Sequence, residues 1–288
     1  MPLASKSTLF FIALCAGFMP AHAQLGSIFG KKPAPAASAP AAVPPPAVCD
    51  KPVYLTFDTG HMEVAQFIAD TLNKHNVKVT FFTANEKTKD ESTSLSKSWG
   101  EKFWAQRGKE GHEFASHTWD HPVLNGDAAG VAPKFIVTPT QGAFAGRSFT
   151  WEPKKYCEQL DLAKERIEFY TGKKALPIFR APGGKTSPKL LAAAEACGYK
   201  HVGWAPAGFL GDELPSERVS NDALLKKALK EIKAGDILMA HLGIWSRKDP
   251  WAPAVLEPLI IGLKEQGFCF NTMRQHPAYK DWIAANGG

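Results

Sequence analysis

Short apolar runs alternate with amphipathic stretches from Cys49 onward, and that rhythm leaves few architectures open. "VYLTF" (Val53–Phe57) reads as a buried strand. Val64, Ile68 and Leu72 follow at a spacing of four, one face of a helix. Further strands are expected in "VKVTFFTA" (Val77–Ala84), "HEFASH" (His112–His117), "ALPIFR" (Ala175–Arg180), "YKHVGW" (Tyr199–Trp204), "DILMAH" (Asp236–His241) and "FCFNT" (Phe268–Thr272). Helices are expected over Tyr156–Tyr170, stopped by Gly172, and from Ser187-Pro188 to Gly198. A third is capped by Asn221 and buries Leu224, Leu225, Ala228 and Ile232; "LEPLIIGLKEQG" is the final helix. Strand and helix alternate about six or seven times, which implies a parallel sheet with helical crossovers. At this length a barrel is favoured over an open doubly wound sheet. No glycine-rich loop follows the first strand, which argues against a nucleotide.

Two stretches interrupt the rhythm and read as insertions on a loop face. Glu86–Lys102 is polar and rich in Ser, Thr and Lys. Val123–Pro153 holds "KFIVTPT" and "RSFTW" around Gly142, the makings of a hairpin.

The first residues are not fold. Lys6, an apolar run from Leu9 to Phe18 and then "AHA" form the pattern of a secretory signal peptide over 1–23, with cleavage expected before Gln24. The run is short for a bilayer, so no transmembrane segment is expected in the mature chain. Residues 24–48 form a Pro/Ala-rich linker, an extended tether without a core. The folded domain is expected over 49–288. Export permits disulfides among Cys49, Cys157, Cys197 and Cys269. Four cysteines allow three pairings; Cys49 with Cys269 is preferred because each flanks an apolar run. The net charge of +6 comes without a basic block interleaved with aromatics, so no nucleic-acid partner is expected.

Reactive side chains collect at the C-terminal ends of the expected strands: Asp58 after "VYLTF", His117 and His121 after "HEFA", Arg180 after "ALPIF" and His241 after "DILMA". In a parallel barrel those ends converge on one face, where barrel enzymes place their sites. His117 and His121 are four apart, and on one helical turn or a tight helical loop their rings point the same way. Two histidines are one short of the three protein ligands usual for catalytic zinc.

These residues carry a resemblance to the polysaccharide deacetylase family of carbohydrate esterases, over Cys49 to Thr272. The family's T-F-D-D-G appears as "TFDTG", its H-[ST]-x-x-H as "HTWDH" followed by Pro122, its R-x-P-x-G as "RAPGG", and its terminal L-x-H strand as "LMAH". The resemblance implies a distorted (β/α)7 barrel with two loop insertions. It implies hydrolysis of N-acetyl groups on a glycan polymer, of the peptidoglycan or exported poly-N-acetylglucosamine type; the signal peptide and tether point to a bacterial periplasmic or secreted location, and a monomer is expected. It implies a divalent metal, usually zinc, held by His117 and His121, with Asp58 as general base, His241 as general acid and Arg180 orienting Asp58. The family's metal-binding Asp is Thr59 here, with His61 and Glu63 as candidates to close the gap; the alternative is a non-catalytic carbohydrate-binding barrel that has lost its metal site. The family's Asp and Trp that support the catalytic His have counterparts in Trp204 and, at altered spacing, Asp212. Trp204 and Trp151 are the candidate substrate-binding aromatics, and the 123–153 insertion is expected to border the substrate groove.

Overall fold

A computed structural model describes residues 49–288. The signal-peptide and linker expectations, 1–23 and 24–48, lie outside the described residues.

Seven parallel strands build the main sheet: β1 (Pro52–Asp58), β2 (Thr80–Thr83), β3 (Glu113–Ser116), β7 (Ile178–Phe179), β8 (Lys200–His201), β9 (Ile237–His241) and β10 (Cys269–Phe270). From β1 the order runs β2, β3, β7, β8 on one side, while β9 lines the opposite edge of β1. β10 pairs only with the first two residues of β1. The chain after β8 reaches the free edge of β9 through a bridge between Phe209 and Met239, so the sheet curls most of the way round. This is an α/β parallel barrel with a distorted seam.

β1 is buried on both faces, as a central parallel strand must be. Its odd residues Val53, Leu55 and Phe57 pack outward with Ile68 and Leu72 of the first helix, Ala65–Lys74. Its even residues face inward, where Tyr54 meets Phe82, Ala115, Ile178, Val202 and Ile237, one inward residue from each neighbouring strand. The period of two therefore decides which side chains reach the barrel mouth.

The expected helices form over Pro153–Thr171, Pro188–Ala196, Asn221–Glu231 and Glu257–Glu265. Gly172 ends the first of them at φ 63°, a left-handed stop that suits glycine. The Ser187 hydroxyl accepts from the Leu190 N–H as the expected cap. Asn221 is not a cap. Ser220 takes that role, accepting from the Ala223 N–H. The Asn221 side chain instead accepts from the Arg247 guanidinium at 2.7 Å and donates to Asp249 at 2.9 Å. A further helix, Lys280–Ala285, lies beyond the one expected to be last. Its Ile283 joins Tyr54 and Met273 in the inner core, and the Trp282 indole N–H donates to the Pro177 carbonyl.

Two disulfides join Cys49 to Cys269 and Cys157 to Cys197, with Cα separations of 5.9 and 6.3 Å. The first is the expected pair. The 123–153 insertion is a three-stranded antiparallel sheet, not a single hairpin: β4 (Pro122–Asp127), β5 (Phe135–Pro139) and β6 (Phe149–Trp151). Leu124, Phe135 and Val137 pack on Tyr156, Phe179 and Leu190, which fastens it to the barrel flank. Among the described residues no helix is long and apolar enough to cross a membrane.

Candidate active site

The inward alternation carries each reactive side chain to the same level. Asp58 is opposite Phe82 on one side and His241 on the other in the strand register. His117 is two residues past the inward Ala115, Arg180 two past Ile178, Trp204 two past Val202, and His241 two past Met239. Asp58, His117, His121, Trp204 and His241 line one cavity of about 130 Å³, with Glu86 and Glu213 on the same wall.

Asp58 is 3% exposed and Arg180 is fully buried; the guanidinium donates to Oδ1 at 2.6 Å. Burial raises the Asp58 pKa, but the Arg180 charge outweighs it and holds the carboxyl below its usual range, helped by His117 and His241. Arg180 is itself clamped. It donates to the Val202 and Gly203 carbonyls at 3.3 Å, and its guanidinium lies 4.2 Å from the Phe82 ring centroid. Oδ2 remains clear of the arginine and stands 3.7 Å from His117 Nε2.

His241 is held at two points by Asp212, whose Oδ2 accepts from the His241 backbone N–H at 2.6 Å and from ring Nδ1 at 3.1 Å. Burial opposes a charge on this ring. The Asp212 carboxylate, with Asp58 and Glu213 behind it, prevails and raises the pKa to about 10. Asp212 sits far enough from the family spacing to be obscure in the sequence, yet it is the partner of His241.

The two motif histidines do not lie on a helical turn. Thr118 and His121 both have left-handed backbones, φ 70° and 49°. The ring centroids nevertheless lie 4.8 Å apart. His117 Nδ1 donates to the Arg180 carbonyl at 2.8 Å, which leaves the Nε2 lone pair free. The Thr140 hydroxyl donates to the His121 carbonyl, so its oxygen accepts from His121 Nδ1 at 2.7 Å. Burial lowers the His121 pKa to about 4, so this ring also presents a neutral Nε2. Thr140 follows β5, so the insertion serves the site by orienting a histidine. Thr140→Val is expected to weaken metal binding about tenfold, within the range for loss of an outer-shell partner, in a zinc titration of the folded variant.

Other expectations place differently. Trp151 packs beside Phe149 against the flank core and lines neither this cavity nor its neighbour. His61 and Glu63 line a separate hollow of about 390 Å³ with Lys89 and Trp245; His241 and Ile244 line both and stand between the two. His61 and Glu63 therefore stand away from the His117–His121 pair. Glu86 lines the cavity with that pair instead, and the Thr59 hydroxyl donates to Glu86 Oε2.

The polysaccharide deacetylase family model matches residues 46–202. A peptidoglycan-N-acetylmuramic acid deacetylase of Bacillus subtilis is 25% identical over 225 residues, 78% of this chain and 70% of that protein. Two solved structures share the fold. One is a family 4 acetyl xylan esterase from Clostridium thermocellum in complex with a cobalt ion (TM-score 0.59, 22% identity, 80% of this chain and 92% of that one). The other is a CE4 family pseudoenzyme from Bacillus anthracis (TM-score 0.57, 22% identity, 78% and 65%). Strand order, the motif residues gathered at the strand ends and the matched span agree: this chain belongs to the polysaccharide deacetylase family.

Proposed function

We propose that this protein hydrolyses N-acetyl groups on an N-acetylated glycan polymer, outside the cytoplasm and as a monomer. The observation that carries this reading is the pairing of Asp58 and His241. They are neighbours in register, yet one is held ionised below its usual range and the other held protonated to about 10. Oppositely displaced titratable neighbours are the signature of an assigned base and acid.

Asp58 takes the proton of the attacking water on Oδ2, because Arg180 occupies Oδ1. His241 commits Nδ1 to Asp212, so the proton delivered to the leaving nitrogen sits on Nε2. A divalent metal, zinc in this reading, polarises the acetyl carbonyl and acidifies water when bound. The donor set suits it: His117 and His121 each tie Nδ1 to an oxygen acceptor and leave Nε2 to the cavity, and these two would hold the ion. Trp204 supports one sugar face at the cavity wall, and the wider hollow beside His241, with half-exposed Trp245, takes the continuing polymer.

The same geometry sets the pH profile. His241 must be protonated to act, so turnover falls as pH rises through about 10. The stability it gains with Asp212 is complete below about 6.5 and is lost across the same upper limit. Asp212→Asn removes the leading raising charge, and the alkaline limb of the rate profile is expected to move toward neutral pH. A limb that stays in place removes His241 from the acid's role.

Thr59, standing where the family's metal-binding Asp is found, favours a second reading: a barrel that binds glycans without turnover. Acetate release from a panel of N-acetylated glycans decides between them. Release abolished by a chelator and restored by zinc supports the enzyme; glycan binding without release supports the second reading.

A further inference from the structure

Thr59 does not leave the metal pocket without a protein carboxylate. We propose that Glu86, three residues past the end of β2, supplies the anionic metal ligand in this chain, and that Thr59 is the positioning residue that aims it. The inference rests on the metal-dependent reading above.

Glu86 is 9% exposed and lines the cavity that holds His117, His121 and Asp58. A carboxylate this buried needs partners. Its Oε2 has two, both from the first motif: the Thr59 hydroxyl, and the Gly60 backbone N–H at 2.6 Å. The Thr59 oxygen in turn accepts from the Ala84 N–H at 3.1 Å, so the hydroxyl proton is directed at Glu86 and nowhere else. The Glu86 N–H donates to Ser94, whose own hydroxyl donates to the Ala84 carbonyl at 2.5 Å, and this fixes the backbone behind the carboxylate. Gly60 has φ 106°, and a Cβ there would stand 2.2 Å from the Gly243 carbonyl oxygen, so the N–H that meets Glu86 depends on glycine. Among the described residues Oε1 meets no donor, which leaves an oxygen for a cation.

In effect the carboxylate has changed strands. A threonine at the end of β1 hydrogen-bonds a glutamate arriving from the end of β2, and a negative charge reaches the pocket from next door. Among the described residues no three His, Cys, Asp or Glu side chains already converge on a single point. Ligation therefore requires Oε1 to turn toward the histidines while Oε2 stays on the Thr59 hydroxyl and the Gly60 N–H. Two imidazoles plus a glutamate would then give a three-ligand set of the His₂Glu kind.

The test is metal affinity and cobalt spectroscopy on the full folded chain, made independent of activity. Zinc is titrated into chelator-treated parent, Glu86→Gln, Thr59→Val, His117→Ala and the double variant Thr59→Asp/Glu86→Gln, each first checked by circular dichroism. Glu86→Gln is expected to weaken zinc binding a hundredfold or more, at or beyond the upper end of the ~10–100-fold cost of losing an outer-shell partner. It is also expected to change the visible bands of the cobalt-loaded protein. Thr59→Val, which keeps the shape and removes the donor, is expected to cost about tenfold. The double variant returns a carboxylate from the β1 side and is expected to regain most of the affinity lost in Glu86→Gln. Glu86→Gln binding zinc like the parent, with His117→Ala failing to bind, overturns the role of Glu86 and leaves the deacetylase reading standing. A parent that binds neither zinc nor cobalt overturns both.

Discussion

Asp58→Asn and His241→Ala are each expected to lower turnover about a hundredfold or more, the usual scale for a positioned acid or base. Asn keeps the shape of Asp58 and its contact with Arg180 but cannot accept the water's proton. Alanine at 241 removes the only imidazole that Asp212 holds protonated. The two losses are expected to differ in pH dependence. The His241→Ala profile loses its alkaline limb, while the Asp58→Asn profile retains it, because His241 and Asp212 remain paired. Substrate binding is expected to change little in either variant, since neither residue is a glycan-stacking aromatic. Both variants retaining near-parental acetate release would refute the acid–base assignment.

The parts of this site that were legible in the sequence are those on strands. β1 and β9 are mostly apolar runs and β3 a short half-apolar one, and a period of two turns each into a list of inward positions. Asp58, His117, Arg180 and His241 could be placed at one barrel mouth for that reason. What escaped the sequence lies where no period operates. Asp212 was named only through the resemblance and at altered spacing, and Glu213 not at all: both lie in a turn just after the Phe209–Met239 bridge, and their proximity to His241 depends on that contact across the seam. Thr140 lies 19 residues after His121, and the fold of β4 against β5 returns it there. Glu86 was readable as the start of a polar insertion. Yet Phe82, Ala84 and Glu86 continue the inward alternation of β2, and a carboxylate on that phase was a signal of the same kind as Asp58. Trp151 shows the converse. An aromatic residue in the insertion that follows the two-histidine motif suited a sugar platform, but its strand pairs with Phe135 and it packs, partly buried, on the flank core. The H-x₃-H spacing brought two rings together as expected, though by left-handed residues instead of a helical turn.

Arg180→Met is expected to destabilise the fold by about 3–5 kcal/mol, the scale for breaking a buried ion pair by removing one member. The cost arises mainly in what remains. Asp58 stays buried with its main compensating charge gone, and methionine fills the space of the arginine stem without donating to Oδ1. The Val202 and Gly203 carbonyls also lose a donor, but those contacts are 3.3 Å long and weak. The double variant Asp58→Asn/Arg180→Met keeps those two carbonyl losses and removes the orphan charge, so it is expected to recover most of the stability. Urea unfolding with the disulfides intact measures both. The pH dependence gives a second reading of the same physics. In the parent, the depressed pKa of Asp58 contributes stability that is present above the ordinary carboxylate range and is lost as pH falls through the lower folded value. In Arg180→Met, burial dominates and the folded pKa rises above the unfolded one, so protonation relieves the strain and this site's contribution reverses sign, favouring the fold as pH falls. A single variant as stable as the parent at neutral pH, with an unchanged pH dependence, would show that Asp58 is kept ionised by something other than Arg180.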